Sequence, residues 1–347
     1  MKSATALAAV LLVGATASCS LVGGGDDNAK NNTQVVLVTH ESFVLSKALQ
    51  KSFEKQSGYD LVIRAAGDAG VLTNKLVLTK DDPTGDVAFG VDNTFASRAL
   101  DEGVFAEHQP TVLDPVAAYE LPGDDKHLLT PIDHGNVCVN VDDTWFAAHD
   151  LAEPRTLDDL TAPAYRNLFV LPGATTSSTG MAFLLATIAA YGKDWPAYWT
   201  DLMNNGAKLT AGWSDAYEVD FTQGGGSGDR PIVLSYDSSP AFTVKDGKSS
   251  TSALLDTCFE QIEYAGVLTG AANPTGAESF INFLASPEVQ AALPDSMYVF
   301  PVDPDIELPH EWARFAKQPT HPYTVDPADI SANRDAWLRE WSDVTSR

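Results

Sequence analysis

Short apolar runs alternate with segments of helical spacing along the chain, and this alternation constrains the fold more than any other feature of the sequence. Residues 34–38 (QVVLV) form a β-branched run that is typical of a buried strand. Apolar residues at helical spacing follow, with Ser42 as the candidate helix cap and Gly58 as the stop. Residues 59–63 form the next candidate strand. The repeated strand–helix–strand order predicts a parallel sheet covered by helices.

The same patterns predict the remaining elements. Further strands are expected at residues 86–89, 137–141, 168–171, 232–235 and 261–265. Further helices are expected at residues 72–78, 179–191, 278–285, 287–293 and 330–341. Beyond the first 33 of its 347 residues, the chain is long enough for two lobes with substantial cores. We therefore predict a hinged α/β protein with residues 34–133 and 266–347 in lobe 1 and residues 134–265 in lobe 2.

The N-terminus has the organisation of an export signal. Lys2 precedes an apolar stretch at residues 6–13, which is too short to span a bilayer. Small residues then lead to Cys19, as at a lipoprotein processing site. We predict a signal peptide over residues 1–18, a lipidated Cys19 and a flexible tether over residues 19–33. A plain secretory signal with an incidental Cys19 is the alternative, so the protein is expected outside the cytoplasm, anchored to the membrane or periplasmic.

The chain is strongly acidic, with 47 Asp and Glu against 22 Lys and Arg and a net charge of −25. This charge repels phosphates, so no nucleic-acid partner is expected. It is compatible with a cationic ligand, although acidity also keeps exported proteins soluble. The seven histidines are scattered without metal-ligand spacing, so no metal is predicted.

Two cysteines remain once Cys19 is assigned to the lipid. An exported chain permits a disulfide between Cys138 and Cys258. Because the two are far apart in sequence, the bond requires their strands to be neighbours.

Two segments combine aromatic rings with small hydroxyls and an acid: residues 212–217 (GWSDAY) and 234–241 (LSYDSSPA). A ring face attracts a cation by about 0.5–2 kcal/mol, and carboxylates balance its charge. These segments suit a flat, positively charged small molecule. Trp213, Tyr217 and Tyr236 are therefore the candidate aromatic walls of a binding site, and packing in the core is the alternative for each.

Further candidates lie in loops at the ends of predicted strands, where open parallel sheets bind ligands. The acidic and imidazole candidates are His40, Glu41, Asp68 and Asp92. The hydroxyl candidates, at the start of a predicted helix, are Thr176, Ser177 and Ser178. Hydroxyls and free N–H groups at a helix start can hold a phosphate or a ligand hydroxyl. Helix capping is the alternative for Asp68, Asp92 and these three hydroxyl residues.

The two aromatic segments, in this order, resemble the thiamine-binding proteins of bacterial ABC import systems. Other stretches of the chain resemble motifs of the same family: residues 39–43 (THESF), 90–94 (GVDNT), 133–135 (DHG), 285–290 (ASPEVQ) and 334–341 (RDAWLREW), with Arg347. At His40 and Glu41 the family usually carries Tyr and Asp. The resemblance covers nearly the whole mature chain.

The resemblance implies a type II periplasmic-binding fold, with two α/β lobes joined by crossover strands, and neither catalysis nor a cofactor. It implies that thiamine or a thiamine phosphate binds between the lobes and passes to an ABC permease. It also implies a fourth aromatic wall at Tyr298, where the family often has Trp. We expect the protein to be a monomer.

Receptors for iron, polyamines and phosphonates share this architecture and remain alternatives. Iron sites use hard oxygen ligands, often two adjacent tyrosines. Tyr236 is flanked by Ser235 and Asp237, which disfavours iron. An exported hydrolase is disfavoured because the sequence has neither a Gly-x-Ser-x-Gly elbow nor a His-Glu-x-x-His pair. A purely structural lipoprotein would leave the polar strand-end clusters unexplained.

Overall fold

The computed structural model describes residues 33–109 and 114–346. The predicted signal peptide, Cys19 and the tether up to residue 32 lie outside the described residues, as does Arg347.

The described chain forms a nine-stranded mixed sheet in the order β2-β1-β3-β10-β4-β7-β5-β6, with β11 paired to β4, and a separate hairpin of β8 and β9. The strands are β1 (Gln34–Thr39), β2 (Asp60–Ala65), β3 (Val87–Asp92), β4 (Thr130–Asp142), β5 (Phe169–Pro172), β6 (Lys208–Thr210), β7 (Ile232–Tyr236), β8 (Val244–Lys245), β9 (Lys248–Ser249), β10 (Thr251–Val267) and β11 (Phe300–Pro301). The α-helices are α1 (Lys47–Ser57), α2 (Ala69–Leu78), α3 (Ala96–Asp101), α4 (Asp143–Ala148), α5 (Ser178–Tyr191), α6 (Trp195–Asn204), α7 (Pro274–Leu284), α8 (Pro287–Gln290), α9 (Leu293–Met297), α10 (His310–Phe315) and α11 (Pro327–Thr345).

The sheet has two parallel parts that are joined by two long antiparallel strands. Strands β1, β2 and β3 pair in parallel, as do β5, β6 and β7. Between them β4 and β10 run antiparallel to each other and to their outer neighbours β7 and β3. The prediction of a parallel sheet was therefore wrong at the centre. We call the β1–β3 part the first lobe and the β5–β7 part the second lobe; β4 and β10 cross between them.

The crossover strands are longer than the sequence predicted. β4 has 13 residues and β10 has 17, whereas the apolar runs covered only residues 137–141 and 261–265. Buried polar residues such as Asp133 and Asn136 interrupt the apolar pattern, and for that reason the ends of β4 were missed.

Helix boundaries also differ from the prediction, and two of the differences have a clear local cause. α1 begins at Lys47 rather than near Ser42, because Ser46 supplies the cap: its Oγ accepts a hydrogen bond from the Leu49 N–H at 3.2 Å. The helix predicted over residues 287–293 is instead α8 and α9. Pro294, in the first turn of α9, has no N–H to continue an earlier helix.

The first ten residues of α5 are packed in the larger hydrophobic core. Residues 178–187 of α5 are all buried, and Phe183 packs edge-on against Trp199 of α6. A second core, with Phe53 against Phe280, holds α1 and α7 on the first lobe. The C-terminal helix α11 packs against both α6 and α3, so the boundary predicted for lobe 1 at this end of the chain stays a prediction.

Cys138 and Cys258 are joined by a disulfide in the structure. Cys138 lies on β4 and Cys258 on β10, and these strands are paired neighbours, which is the condition that the sequence set. The bond ties the two crossover strands together near the second lobe.

Candidate ligand-binding site

A small, partly enclosed cavity of about 30 Å³ lies between the ends of strands from both lobes. Its lining residues are His40, Ser42, Asp68, Ala69, Ser178, Thr179, Trp213, Tyr236, Glu263, Met297 and Val299. Such a space holds about one or two water molecules. A ligand with two rings therefore requires the lobes to separate before it can enter.

Trp213 links the two lobes at this cavity through its backbone N–H and lines the cavity with its ring. Its backbone N–H donates to Asp68 Oδ2 at 3.0 Å, and its indole Nε1 donates to Ser235 Oγ at 3.0 Å. Tyr217 lies four residues later, in a turn of π-helix (Asp215–Asp220), and the two rings stack with centroids 5.0 Å apart. Trp213 thus presents a ring to the cavity with Tyr217 behind it.

The other predicted aromatic walls differ in their distance from the cavity. Tyr236, at the end of β7, lines the cavity, with its ring centroid 6.2 Å from that of Trp213. Tyr217 is almost fully buried and does not line the cavity. Tyr298 has a positive φ of 65° and stacks on Phe242, while its neighbours Met297 and Val299 reach the cavity.

Asp68 serves both as a helix cap and as a cavity residue. Its Oδ1 accepts from the N–H of Ala69 at 2.6 Å, at the start of α2, and its Oδ2 holds the Trp213 N–H. Glu41 is close by, and its pKa is raised by burial and by the neighbouring charge of Asp68. Gly212 allows this approach, because a Cβ there would lie 3.0 Å from Glu41 Oε1. Glu41 is not among the residues that line the cavity.

Asp92 is fully buried and shapes the turn that leads into α3. Its Oδ1 accepts from the Thr94 N–H at 3.2 Å, the Thr94 hydroxyl at 2.8 Å and the Phe95 N–H at 3.2 Å. Burial raises its pKa to about 6, against the effect of these hydrogen bonds. These bonds close a turn before α3, whose N-cap is Phe95 and has no side-chain capping hydrogen bond, so Asp92 is not the cap of that helix.

Of the three predicted hydroxyl residues, the structure brings only Ser178 to the cavity, together with Thr179. Thr176 donates its hydroxyl to the Ala211 carbonyl at 2.7 Å. Ser177 is fully buried, and its Oγ lies 3.0 Å from Thr179 Oγ1. The Thr176 carbonyl accepts from the Gly70 N–H at 3.1 Å, which brings the starts of α2 and α5 together.

Sequence reasoning missed Glu263, which lies on β10 and lines the cavity. It is 5% exposed, and His40 Nε2 lies 3.5 Å from its Oε1. The pKa of Glu263 is raised well above its ordinary value by burial and by the neighbouring Asp133. A signal was present in the sequence: Gln261 and Glu263 alternate with Ile262 and Tyr264, which places two polar residues on one face of a strand read as apolar.

Among the described residues, no helix is long and apolar enough to cross a membrane. Within the same part of the chain, no group of three or more His, Cys, Asp or Glu side chains is arranged to hold a metal ion.

Comparison with known proteins gives consistent matches over most of the chain. A family model described as bacterial extracellular solute-binding protein matches residues 82–318. The thiamine-binding periplasmic protein of Brucella melitensis is 29% identical over 329 residues, which cover 92% of this chain and 94% of the relative. The Escherichia coli protein of the same description is 27% identical over 321 residues, covering 90% and 94%. A solved structure described as a periplasmic thiamin binding protein has a TM-score of 0.79 at 27% identity, covering 90% of this chain and 96% of that one. The resemblance and the two-lobe periplasmic-binding fold predicted from the sequence are confirmed.

Proposed function

The chain belongs to the bacterial extracellular solute-binding protein family, and from this premise we propose that it captures thiamine in the cleft between its lobes and delivers it to an ABC permease. The observation that carries the proposal is Trp213: it lines a cavity between the lobes, with Asp68 and Glu263 in the same lining. Relatives that share 27–29% identity over at least 90% of the chain and are described as thiamine-binding support the choice of ligand.

The cavity supplies the chemistry that a cationic double-ring ligand requires. Trp213 and Tyr236 offer ring faces, and a cation against such a face is stabilised by about 0.5–2 kcal/mol. Asp68 and Glu263 supply compensating negative charge. The Ser178 hydroxyl and the N–H groups at the start of α5 suit a ligand hydroxyl or phosphate oxygen.

The charge of the lining favours unphosphorylated thiamine over its phosphate esters. The lining residues include two carboxylates and neither Lys nor Arg. A diphosphate would meet like charge there without a Lys or Arg partner, which weakens its binding. We therefore expect thiamine to bind more tightly than thiamine diphosphate.

We also propose that residues 1–18 are removed and that a lipidated Cys19 anchors the protein outside the cytoplasm. The order of charged, apolar and small residues before Cys19 supports this. Cys19→Ala should move the protein from the membrane fraction to the soluble extracytoplasmic fraction. Retention in the membrane fraction would contradict the anchor.

Isothermal titration tests the ligand. Thiamine should bind the purified protein with 1:1 stoichiometry, while thiamine diphosphate, spermidine and ferric citrate should bind more weakly or give no heat. Intrinsic fluorescence should change during the thiamine titration, because Trp213 lies against the site. Heat with spermidine or ferric citrate, and none with millimolar thiamine, would contradict the proposal.

A further inference from the structure

Three carboxyl side chains form a row across the middle of the sheet. Glu263 on β10 is in register with Asp92 on β3 on one side and with Asp133 on β4 on the other. Residues opposite each other on neighbouring strands place their side chains on the same face of a sheet, close together. The row is therefore a fixed product of strand pairing and not of flexible side chains.

The row is buried with little compensating charge. Asp92 and Asp133 are fully buried and Glu263 is 5% exposed. Both carboxyl oxygens of Asp133 lack a hydrogen-bond partner among the described residues, and the Glu263 carboxyl is its directly opposite neighbour on β10. Two carboxylates in such contact cannot both be ionised at little cost, so the pair holds a proton. Burial raises the pKa of Asp133 to about 8, in agreement with this geometry.

The groups that face Glu263 come from several elements. Asp133, His40 and Asp92 act on it electrostatically, from β4, the end of β1 and β3. Tyr236, at the end of β7, faces it with an uncharged ring whose pKa is raised by burial. Asp68, at the start of α2, lies in the same cavity lining. At the Asp92 end of the row, the charge of Asp92 acts on the buried guanidinium of Arg334, on α11, and favours its charged form.

Glu263 is the member of the row that reaches the cavity; Asp92 and Asp133 do not line it. A cation in the cavity is therefore closer to Glu263 than to the other two members of the row, and it favours the ionised form of Glu263. We propose that Glu263 is the proton-exchanging counter-ion of the ligand: it shares a proton with Asp133 in the ligand-free cleft and releases that proton to solvent when the cation binds. This inference rests on the proposed function, in which the ligand is thiamine.

The sign of the pH dependence follows from the proton balance. Before binding, the Glu263–Asp133 pair carries one proton and the thiamine cation is free. In the complex the pair is ionised, and that proton has passed to the solvent. Because a proton is released, acid opposes binding. Over the pH range in which the free pair is protonated and the bound pair is ionised, affinity should rise about tenfold per pH unit for each proton released.

Titration calorimetry tests the inference in two buffers of different ionisation enthalpy, such as HEPES and Tris, at pH 7.5. The dependence of the observed heat on buffer counts the protons exchanged. The protein should release about one proton per thiamine bound. Glu263→Gln keeps the size and shape of the side chain but should bind without proton release. Its affinity should converge with that of the unmodified protein at pH 6 and should be about a hundredfold lower at pH 8, two pH units higher.

Two control variants identify the source of the proton. Asp237 is also a buried carboxyl, with a pKa raised by burial to about 7, but it lies outside the row and accepts from Asn136 at 2.8 Å. Asp237→Asn and His40→Gln should both retain the proton release. Three results would each overturn the inference while leaving thiamine binding intact. They are thiamine binding without proton release, proton release by Glu263→Gln equal to that of the unmodified protein, and loss of proton release in His40→Gln. A complete absence of thiamine binding would instead overturn the proposed function and this inference with it.

Discussion

Trp213 gives the sharpest test of the site, because its ring both lines the cavity and packs on the protein. Trp213→Ala removes the ring face that would stack on the ligand, with a cation–π contribution of about 0.5–2 kcal/mol and additional apolar contact. Thiamine affinity should therefore fall at least about tenfold, which corresponds to about 1.4 kcal/mol.

The same substitution also costs stability. The indole donates to Ser235 Oγ at 3.0 Å and stacks on Tyr217, and its side chain is 8% exposed. A fully packed Trp costs about 3–5 kcal/mol when it is truncated to Ala. One part of this ring borders the cavity rather than packed atoms, so the free energy of unfolding should fall by about 3 kcal/mol, at the lower end of that range.

Trp213→Phe separates the two roles. A phenyl ring can still stack on Tyr217, and Ser235 Oγ remains paired with Ser239 Oγ at 2.8 Å, so no buried hydroxyl is left alone. Loss of the indole hydrogen bond should cost about 1 kcal/mol of stability. Affinity should lie between those of the unmodified protein and Trp213→Ala. Trp145→Phe, at a ring that stacks on His149 away from the cavity, should leave affinity unchanged.

Melting temperature and thiamine titration are to be measured on all three variants, at temperatures where each is folded. A folded Trp213→Ala protein with unchanged affinity would refute the assignment of this ring to the site. Full affinity in Trp213→Phe, combined with a Trp213→Ala protein that does not fold, would show that Trp213 serves packing alone.

Three further outcomes are expected. Asp68→Ala and Ser46→Ala each remove a helix cap and should each cost about 1 kcal/mol of stability, but only Asp68→Ala should weaken thiamine binding, since Asp68 also holds Trp213; equal affinities in calorimetry would contradict this. Reducing the Cys138–Cys258 bond, which spans 120 residues, should lower the free energy of unfolding by about 2–5 kcal/mol in urea titrations, and an unchanged midpoint would count against the bond. Burial raises the pKa of Asp133 to about 8 in the folded protein, against about 3.9 when unfolded, so its contribution to stability is complete below pH ~4 and is lost as the pH rises to about 8. The free energy of unfolding of the ligand-free protein should therefore fall over this pH range. If Asp133→Asn left the pH dependence of this free energy unchanged, that would argue against a buried neutral carboxyl at Asp133.

The alternation of strands and helices predicted the parallel part of each lobe, because those strands are short, apolar and separated by helices. It predicted only residues 137–141 of β4 and 261–265 of β10, and it did not predict that Asp133 and Glu263 would be buried carboxyl residues on these strands. The two are paired across β4 and β10, and only Glu263 lines the cavity. Burial of that kind depends on how the lobes meet, and a local pattern along one strand does not carry that information.

The aromatic segments were found from the sequence because rings, hydroxyls and acids lie together in them. The sequence did not show which of these residues line the cavity and which pack within the protein. Trp213 and Tyr217 are four residues apart and stack on each other in the structure, but the sequence does not show which of them faces the cavity. Thr176 and Ser177 likewise occur in a polar run with Ser178, yet their hydroxyls bond within the protein.

The central claim is that thiamine binds between the lobes against Trp213, with carboxylates around it. A crystal structure of the thiamine complex tests this most directly. We predict a ligand ring on the Trp213 face, its cationic ring within about 6 Å of an aromatic centroid, and the carboxylate of Glu263 or Asp68 next to the positive charge. Thiamine bound elsewhere on the protein, or bound in the cleft without contact to Trp213, would contradict the account.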